Sequence, residues 1–297
     1  MDLSSDGGTG YERTMSPVTE AGLTAQRELR RNLRSGKGIA MFVLFFLGGA
    51  IPSVGQILLG QVVDTKTMME APLEIRQELF ENLLKQMKFD EVTAKYLSKC
   101  PMELFVYLFK GALFFLPWLI LLVGFDLIAG EIQHRSIRYL AGRARRSAIV
   151  VGKALGVWGV VAVMTLVLDA TVCTVMLIKG DYPAGLVFSW GGRIWLFTVA
   201  SGASYVGLTT LVSSFFKTPI VALFVGMAVM FAVLLTGWIL GHFDATATAA
   251  WAFPSAYESK LLVSAEPLRV IAGLAGLIGW GAIMVAGAAA IVSRRDI

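Results

Sequence analysis

Residues 219–240 read Pro-Ile-Val-Ala-Leu-Phe-Val-Gly-Met-Ala-Val-Met-Phe-Ala-Val-Leu-Leu-Thr-Gly-Trp-Ile-Leu, without one charged side chain. As an α-helix this run extends about 33 Å, enough to cross a hydrocarbon core of roughly 30 Å. Inside lipid every backbone polar group must find its partner within the protein, which a helix achieves by itself. The stretch is therefore read as a membrane span. The same signature recurs on both sides of it. Leu268–Val292 follows it, and Ile194–Ser213, Ile149–Ile178, Glu103–Ile128 and Gly38–Val62 precede it. Gly48, Gly49 and Pro52 interrupt the first run and predict a kink. The run 149–178 is about 45 Å long at 1.5 Å per residue, so it should tilt or protrude. The expected fold is all-α: a polytopic membrane protein with six transmembrane helices.

Composition agrees. Of 297 residues 56% are hydrophobic, against about 45–50% in soluble domains, and the mean hydropathy is +0.69. The net charge of +5 sits beside the apolar runs, which fits anionic lipid headgroups better than nucleic acid. Cys100 and Cys173 have no neighbour at metal-ligand spacing, and His134 and His242 lie far apart, so no metal site is expected. Gly152-Lys153 and Gly36-Lys37 lack the upstream glycine and the following Ser or Thr of a phosphate-binding loop. H-E-x-x-H and G-x-S-x-G are missing too. No catalytic residue and no cofactor are expected in this chain. The first 37 residues are polar and the first apolar run exceeds a signal peptide's, so that run is expected to persist as a span.

Four of the segments outside the spans are informative. Residues 1–20, rich in Gly, Ser and Thr, read as a disordered tail. Residues 21–37 read as a basic amphipathic helix in the membrane interface. Leu23, Leu29 and Leu33 share one face of it, and Arg27, Glu28, Arg30 and Arg31 lie among the rest. The other reading of this segment is a solvated positive flank. Residues 64–102 mix charges with Ile75, Leu79, Leu83, Met87, Tyr96 and Leu97 at helical spacing, which predicts a small helical extracytoplasmic cap. Residues 129–149 carry Arg135, Arg138, Arg143, Arg145 and Arg146 against one acid, Glu131. The excess of Lys and Arg in 1–37 and 129–149 puts both termini inside. Trp190, Trp195 and Trp251 fall near the predicted interfaces.

Within 129–149 a helix is predicted from Glu131 to Leu140. Glu131, Arg135 and Arg138 form a charged face opposite Ile132, Ile137, Tyr139 and Leu140. That face is either a docking surface or a set of positive-inside charges beside lipid. Two charges fall inside spans, Lys110 and Asp169, where such residues usually face protein or water. They read as a structural pair, as substrate contacts, or as groups that never meet. Gly152, Gly156 and Gly159, then Gly202, Ala203 and Gly207, then Gly273, Gly276 and Gly279, mark close helix packing or a pore. The loop from Trp251 to Tyr257, with Pro254, is expected to form short re-entrant helices.

The order of these features resembles the membrane permease subunit of type-2 ATP-binding-cassette exporters. Members carry a Glu, a basic stretch, an Arg-rich turn and then Gly-Lys opening the next span. Here these are Glu131, then Ser136-Ile137-Arg138-Tyr139-Leu140-Ala141, then Arg143-Ala144-Arg145-Arg146-Ser147, then Gly152-Lys153. The run Arg27–Arg31 resembles the family's elbow helix, and Arg294-Arg295-Asp296 its usual ending. Arg135-Ser136 stands where Gly-Thr is usual, and Ala144 where Pro is usual. The resemblance covers the chain from about Leu23. It implies a transport subunit in the cell inner membrane, paired with a second permease copy and embedded in membrane lipids. P-loop ATPase subunits would supply the ATP and Mg chemistry and dock on Glu131, Arg135, Arg138, Arg143, Arg145 and Arg146. The competing reading is a non-transport scaffold that recruits an extracytoplasmic partner through residues 64–102.

Overall fold

A computed structural model describes residues 16–36, 38–40, 42–48, 75, 78, 81–82, 85, 91–98, 103–134, 144–180, 183–240, 243, 247–260 and 266–295. Among these, every regular element is a helix. In chain order they are α1 (Pro17–Arg34), α2 (Glu91–Ser98), α3 (Glu103–Gly124), α4 (Ala129–Gln133), α5 (Arg146–Lys179), α6 (Ala184–Phe215), α7 (Pro219–Leu240), α8 (Ala247–Ala250), α9 (Pro254–Lys260) and α10 (Pro267–Arg294). An apolar helix, Gly38–Gly48, follows α1. Among the described residues, five helical stretches are long and apolar enough to cross a membrane: 111–133, 146–178, 184–215, 219–240 and 267–294. The remainder of the expected first span, to Val62, lies outside the described residues, as does most of the expected cap.

The helix boundaries follow from local chemistry. Pro17 opens α1, and the Ser16 side chain accepts the Thr19 backbone N–H at 3.2 Å. Pro219 opens α7 and Pro267 opens α10. Gly180 closes α5 at φ 76°, the left-handed conformation glycine adopts without strain. Lys85 binds Glu81 at 2.8 Å one turn away, and its hydrogen bond lowers that carboxyl from its ordinary value.

Two boundaries differ from the sequence reading. The fourth span begins at Ala184 rather than Ile194, so Arg193 lies within a helix. Its guanidinium donates to Tyr96 Oη at 3.1 Å and sits over the Trp190 ring at 5.7 Å. Arg193 stays exposed, and a charge partnered in this way need not end the helix. The regular helix of the second span ends at Gly124, and a turn at 125–128 leads to α4.

α6 is the axis of the bundle, with α3, α5, α7 and α10 around it. Its buried residues include Ser201, Ser204, Thr209, Thr210, Ser213 and Ser214, small enough to let neighbours approach. Two indoles join α5 to it: Trp158 Nε1 donates to the Val199 carbonyl at 2.8 Å, and Trp195 Nε1 to the Ala162 carbonyl at 3.0 Å. α10 is held by Ser204 Oγ, which donates to the Leu277 carbonyl at 2.9 Å. Beside that bond Gly207 and Gly281 meet backbone to backbone, and a Cβ on Gly207 would stand 2.5 Å from the Gly281 oxygen. Phe224, Phe231 and Trp238 of α7 and Ile271 and Ile283 of α10 remain exposed. At the far end, α2 packs Ala94 into a cluster with Val172, Met176 and Trp190.

Gly281→Val should force α6 and α10 apart and cost about 1–3 kcal/mol. The readout is a lower unfolding temperature in detergent. Gly279→Val, at a site with no atom within 4 Å, should leave that temperature nearly unchanged.

Candidate functional site

The densest chemistry lies at the end of the bundle where α5 begins. α1 runs alongside the first half of α5, in the same direction. The glycines of α5 allow this. A Cβ on Gly152 would stand 2.5 Å from Thr24 Cβ, and one on Gly156 would stand 2.6 Å from Glu28 Cβ. A Cβ on Gly159 would reach Leu29 at 3.4 Å. The stripe read as close packing or pore therefore packs a helix. The packed face of α1 is made of Ala21, Thr24 and Glu28, whereas Leu23 and Leu33 are exposed. Leu23, Leu29 and Leu33 were expected to act as one face; in the structure Leu29 meets this stripe of α5 while Leu23 and Leu33 are exposed.

That approach buries a charge network. Lys153 Nζ lies 2.8 Å from Glu131 Oε1 and 3.5 Å from Glu28 Oε2. The side chains of Lys153 and Glu28 are 3% and 5% exposed, and that of Glu131 is 14% exposed. Arg31 closes the group from the solvent side, at 2.6 Å from Glu28 Oε1 and 3.5 Å from Glu131 Oε1. Asn32 Nδ2 donates to Glu28 Oε1 at 3.2 Å. Two acids and two bases make the set neutral, and each buried charge has an opposite partner, as burial demands. Three separate segments meet here: α1, α4 and α5.

Two further contacts tie the same end together. Glu20, itself buried, accepts the Arg145 backbone N–H at 2.9 Å, just before the first turn of α5. A carboxylate there also suits the positive end of the helix dipole. Arg146 Nη1 donates to the Arg295 carbonyl at 2.8 Å. Arg295 in turn donates to the Ser214 carbonyl at 2.9 Å and the Phe215 carbonyl at 3.3 Å, capping the last turn of α6.

The turn that delivers Glu131 is held by one hydroxyl. Ser213 Oγ accepts the backbone N–H groups of Ile128 at 3.0 Å and Ala129 at 3.1 Å, and donates to the Phe125 carbonyl at 2.9 Å. The break between α3 and α4 thus leaves these groups satisfied within the protein, the condition for irregular backbone near membrane depth.

Of the residues singled out from sequence, Glu28, Arg31 and Glu131 come together. Arg145 and Arg146 stand at the start of α5. Arg27 and Arg30 point outward from α1. Arg135, Arg138 and Arg143 lie outside the described residues. Asp169 is buried in α5, while the Lys110 side chain lies outside the described residues, so the expected pair has only one described member. Lys153, Glu20 and Ser213 were not among the predicted site residues. Lys153 had a signal, a lysine placed between two glycines of a helix-packing stripe. Of the loop 251–257, residues 251–253 make the turn between α8 and α9, and Pro254–Tyr257 open α9. Tyr205 of α6 donates to Glu258 of α9 at 3.3 Å, and Trp280 Nε1 donates to the Ala252 carbonyl at 3.0 Å.

A bundle of long apolar helices, with a surface helix clamped by charge to the start of one of them, defines a multi-pass α-helical membrane protein. Residues 24–292 match the family model described as ABC-2 family transporter protein, and the chain belongs to that family. Members are the membrane subunits of transporters, and this chain is such a permease. No curated protein sequence matches the chain.

Lys153→Met should leave the Glu28 and Glu131 carboxylates buried without their shared cation and cost about 3–5 kcal/mol. Adding Glu28→Gln and Glu131→Gln should recover much of the loss in the same detergent unfolding assay. Ser213→Ala should orphan the backbone N–H groups of Ile128 and Ala129, at about 1–3 kcal/mol for each that water does not reach. Faster amide hydrogen exchange at residues 125–129 would report it.

Proposed function

We propose that this chain is the six-span permease subunit of an ATP-binding-cassette exporter, driven by separate P-loop ATPase subunits that dock on residues 131–146. In this reading α1 is the interfacial elbow helix, both termini are cytoplasmic, and a second permease copy completes the pathway. The observation that carries it is the Lys153 network. A push on the segment that contains Glu131 acts on a side chain locked to α5 through Lys153 and to α1 through Arg31 and the shared ammonium. The three segments then move as one body, which is how a force applied outside the membrane reaches the spans. The exposed bases Arg27 and Arg30 and the exposed Leu23 and Leu33 suit α1 to an anionic lipid interface. ATP and Mg belong to the partner in this scheme, and the permease contributes positioning and a path.

The test is co-expression with an ATP-binding-cassette ATPase encoded beside this chain's gene. The two should co-purify, and Glu131→Arg combined with Arg138→Glu should abolish the association. Lys153→Met should keep the ATPase bound and hydrolysing while transport falls about tenfold or more, since the docking surface survives and the lock does not. Labelling of a Ser136→Cys variant from the extracytoplasmic side alone would overturn the proposal.

A further inference from the structure

At about 100° per residue, α1 divides into three sectors rather than two. One packs on α5 and holds Ala21, Thr24 and Glu28. The second is apolar: Val18, Gly22, Ala25, Leu29 and Leu33 follow one another at steps of three or four residues. Val18 is 81% exposed and Leu33 37%. The third is basic: Arg27, Arg30, Arg31 and Arg34 share it with the exposed Leu23. A helix that met only α5 and water would need one packed sector and one polar sector. An exposed apolar sector beside a basic one suits a helix at a bilayer surface, with its carbon against acyl chains and its charge at the headgroups. The apolar helix Gly38–Gly48 comes next in the chain, and its Ile39, Val43, Leu44 and Leu47 are exposed as well. The basic sector carries a cost. Arg27–Arg30, Arg27–Arg31, Arg30–Arg34 and Arg31–Arg34 stand three or four residues apart, where like charges weaken a helix. Arg31 also belongs to the Lys153 network: its side chain is 54% exposed while it contacts Glu28 and Glu131. A negative group beside Arg27, Arg30 and Arg34 relieves the repulsion on Arg31 and leaves its guanidinium to the two carboxylates.

We propose that Arg27, Arg30 and Arg34 bind the phosphates of anionic phospholipids, and that the charge of the leaflet thereby sets how firmly α1 holds α5 and α4. Guanidinium suits phosphate because it offers a planar pair of N–H donors. A zwitterionic lipid brings the same phosphate with a cation attached, so attraction grows with the net charge of the leaflet, by about fivefold in affinity for each arginine at its surface. An acidic protein would match the arginines but not the exposed apolar sector beside them. The lipid response is a property of this chain; its consequence for transport rests on the permease reading above.

The test is amide hydrogen exchange of the full-length chain in nanodiscs of phosphatidylcholine and in nanodiscs that mix it equally with phosphatidylglycerol. Exchange across residues 20–34 should be about tenfold slower or more in the mixture, and high salt should erase most of the difference. Arg27→Gln, Arg30→Gln and Arg34→Gln together should exchange alike in both bilayers. The same three positions changed to Lys, which keeps the charge, should retain the slowing. Arg30→Gln alone should reduce the slowing about fivefold and covers the case in which the triple variant fails to fold. Full slowing in the folded triple Gln variant would overturn the proposal. So would slowing by glycerol phosphate added to phosphatidylcholine nanodiscs, since a free anion would then suffice. Equal exchange of the wild type in both bilayers would overturn it too, and slowing that then came only on adding the ATPase would assign the arginines to that protein. Failure here leaves association with the ATPase intact, whereas loss of that association leaves the lipid response intact, so the two readings fall separately.

Discussion

One ammonium group holds the entry end of this protein together. Lys153 sits between Glu28 and Glu131, and these three residues come from three separate segments, α5, α1 and α4. Burying a pair of ions contributes little net stability, because desolvation offsets most of the attraction. What such a group supplies is uniqueness. With Lys153 in place, α1 has one register along α5 and α4 has one approach to both. A slip of either segment would strand a carboxylate away from water. The glycines of α5 make the arrangement possible, since Glu28 reaches Lys153 only because no side chain stands at Gly152 or Gly156.

The rest of that end extends the same logic with neutral groups. Ser213 satisfies a broken stretch of backbone, Arg295 caps α6, and Glu20 receives the N–H just before α5. Each device answers a donor or acceptor that a helix end leaves open. The opposite end is built differently. There α9 turns back toward α6 through Tyr205 and Glu258, and Tyr257 covers Gly276. Charge organises one end, and a tyrosine–carboxylate hydrogen bond over close-packed glycines organises the other.

The spans were legible because hydropathy and helix length act over about twenty residues at once. Residues 219–240 are read from sequence with the bounds the structure gives them. Single residues gave weaker signals. The fourth span was read from Ile194, yet its helix runs from Ala184 through Arg193, whose partner Tyr96 lies 97 positions away. Glu28 was legible as part of a basic helix but not as the partner of Lys153, because the pairing depends on which face of α1 meets the glycines. That face is chosen by small residues, and leucine spacing pointed to another. Ser213 carried no local signal; a serine near the end of an apolar helix is ordinary, and its role appears only when the turn at 125–128 lies against it.

The backbone contact between Gly207 and Gly281 bears on how a bundle of this kind deforms. Two helices separated by side chains slide over one another by exchanging rotamers. Two helices touching through main chain have no such lubricant, and the Ser204 bond to the Leu277 carbonyl pins the same seam. The seam between α3 and α7 is softer, because there Gly226 meets the flexible methyl groups of Leu121. By this contrast the α6–α10 seam should resist sliding more than the α3–α7 seam, and a bundle so built would flex on the α3–α7 side first.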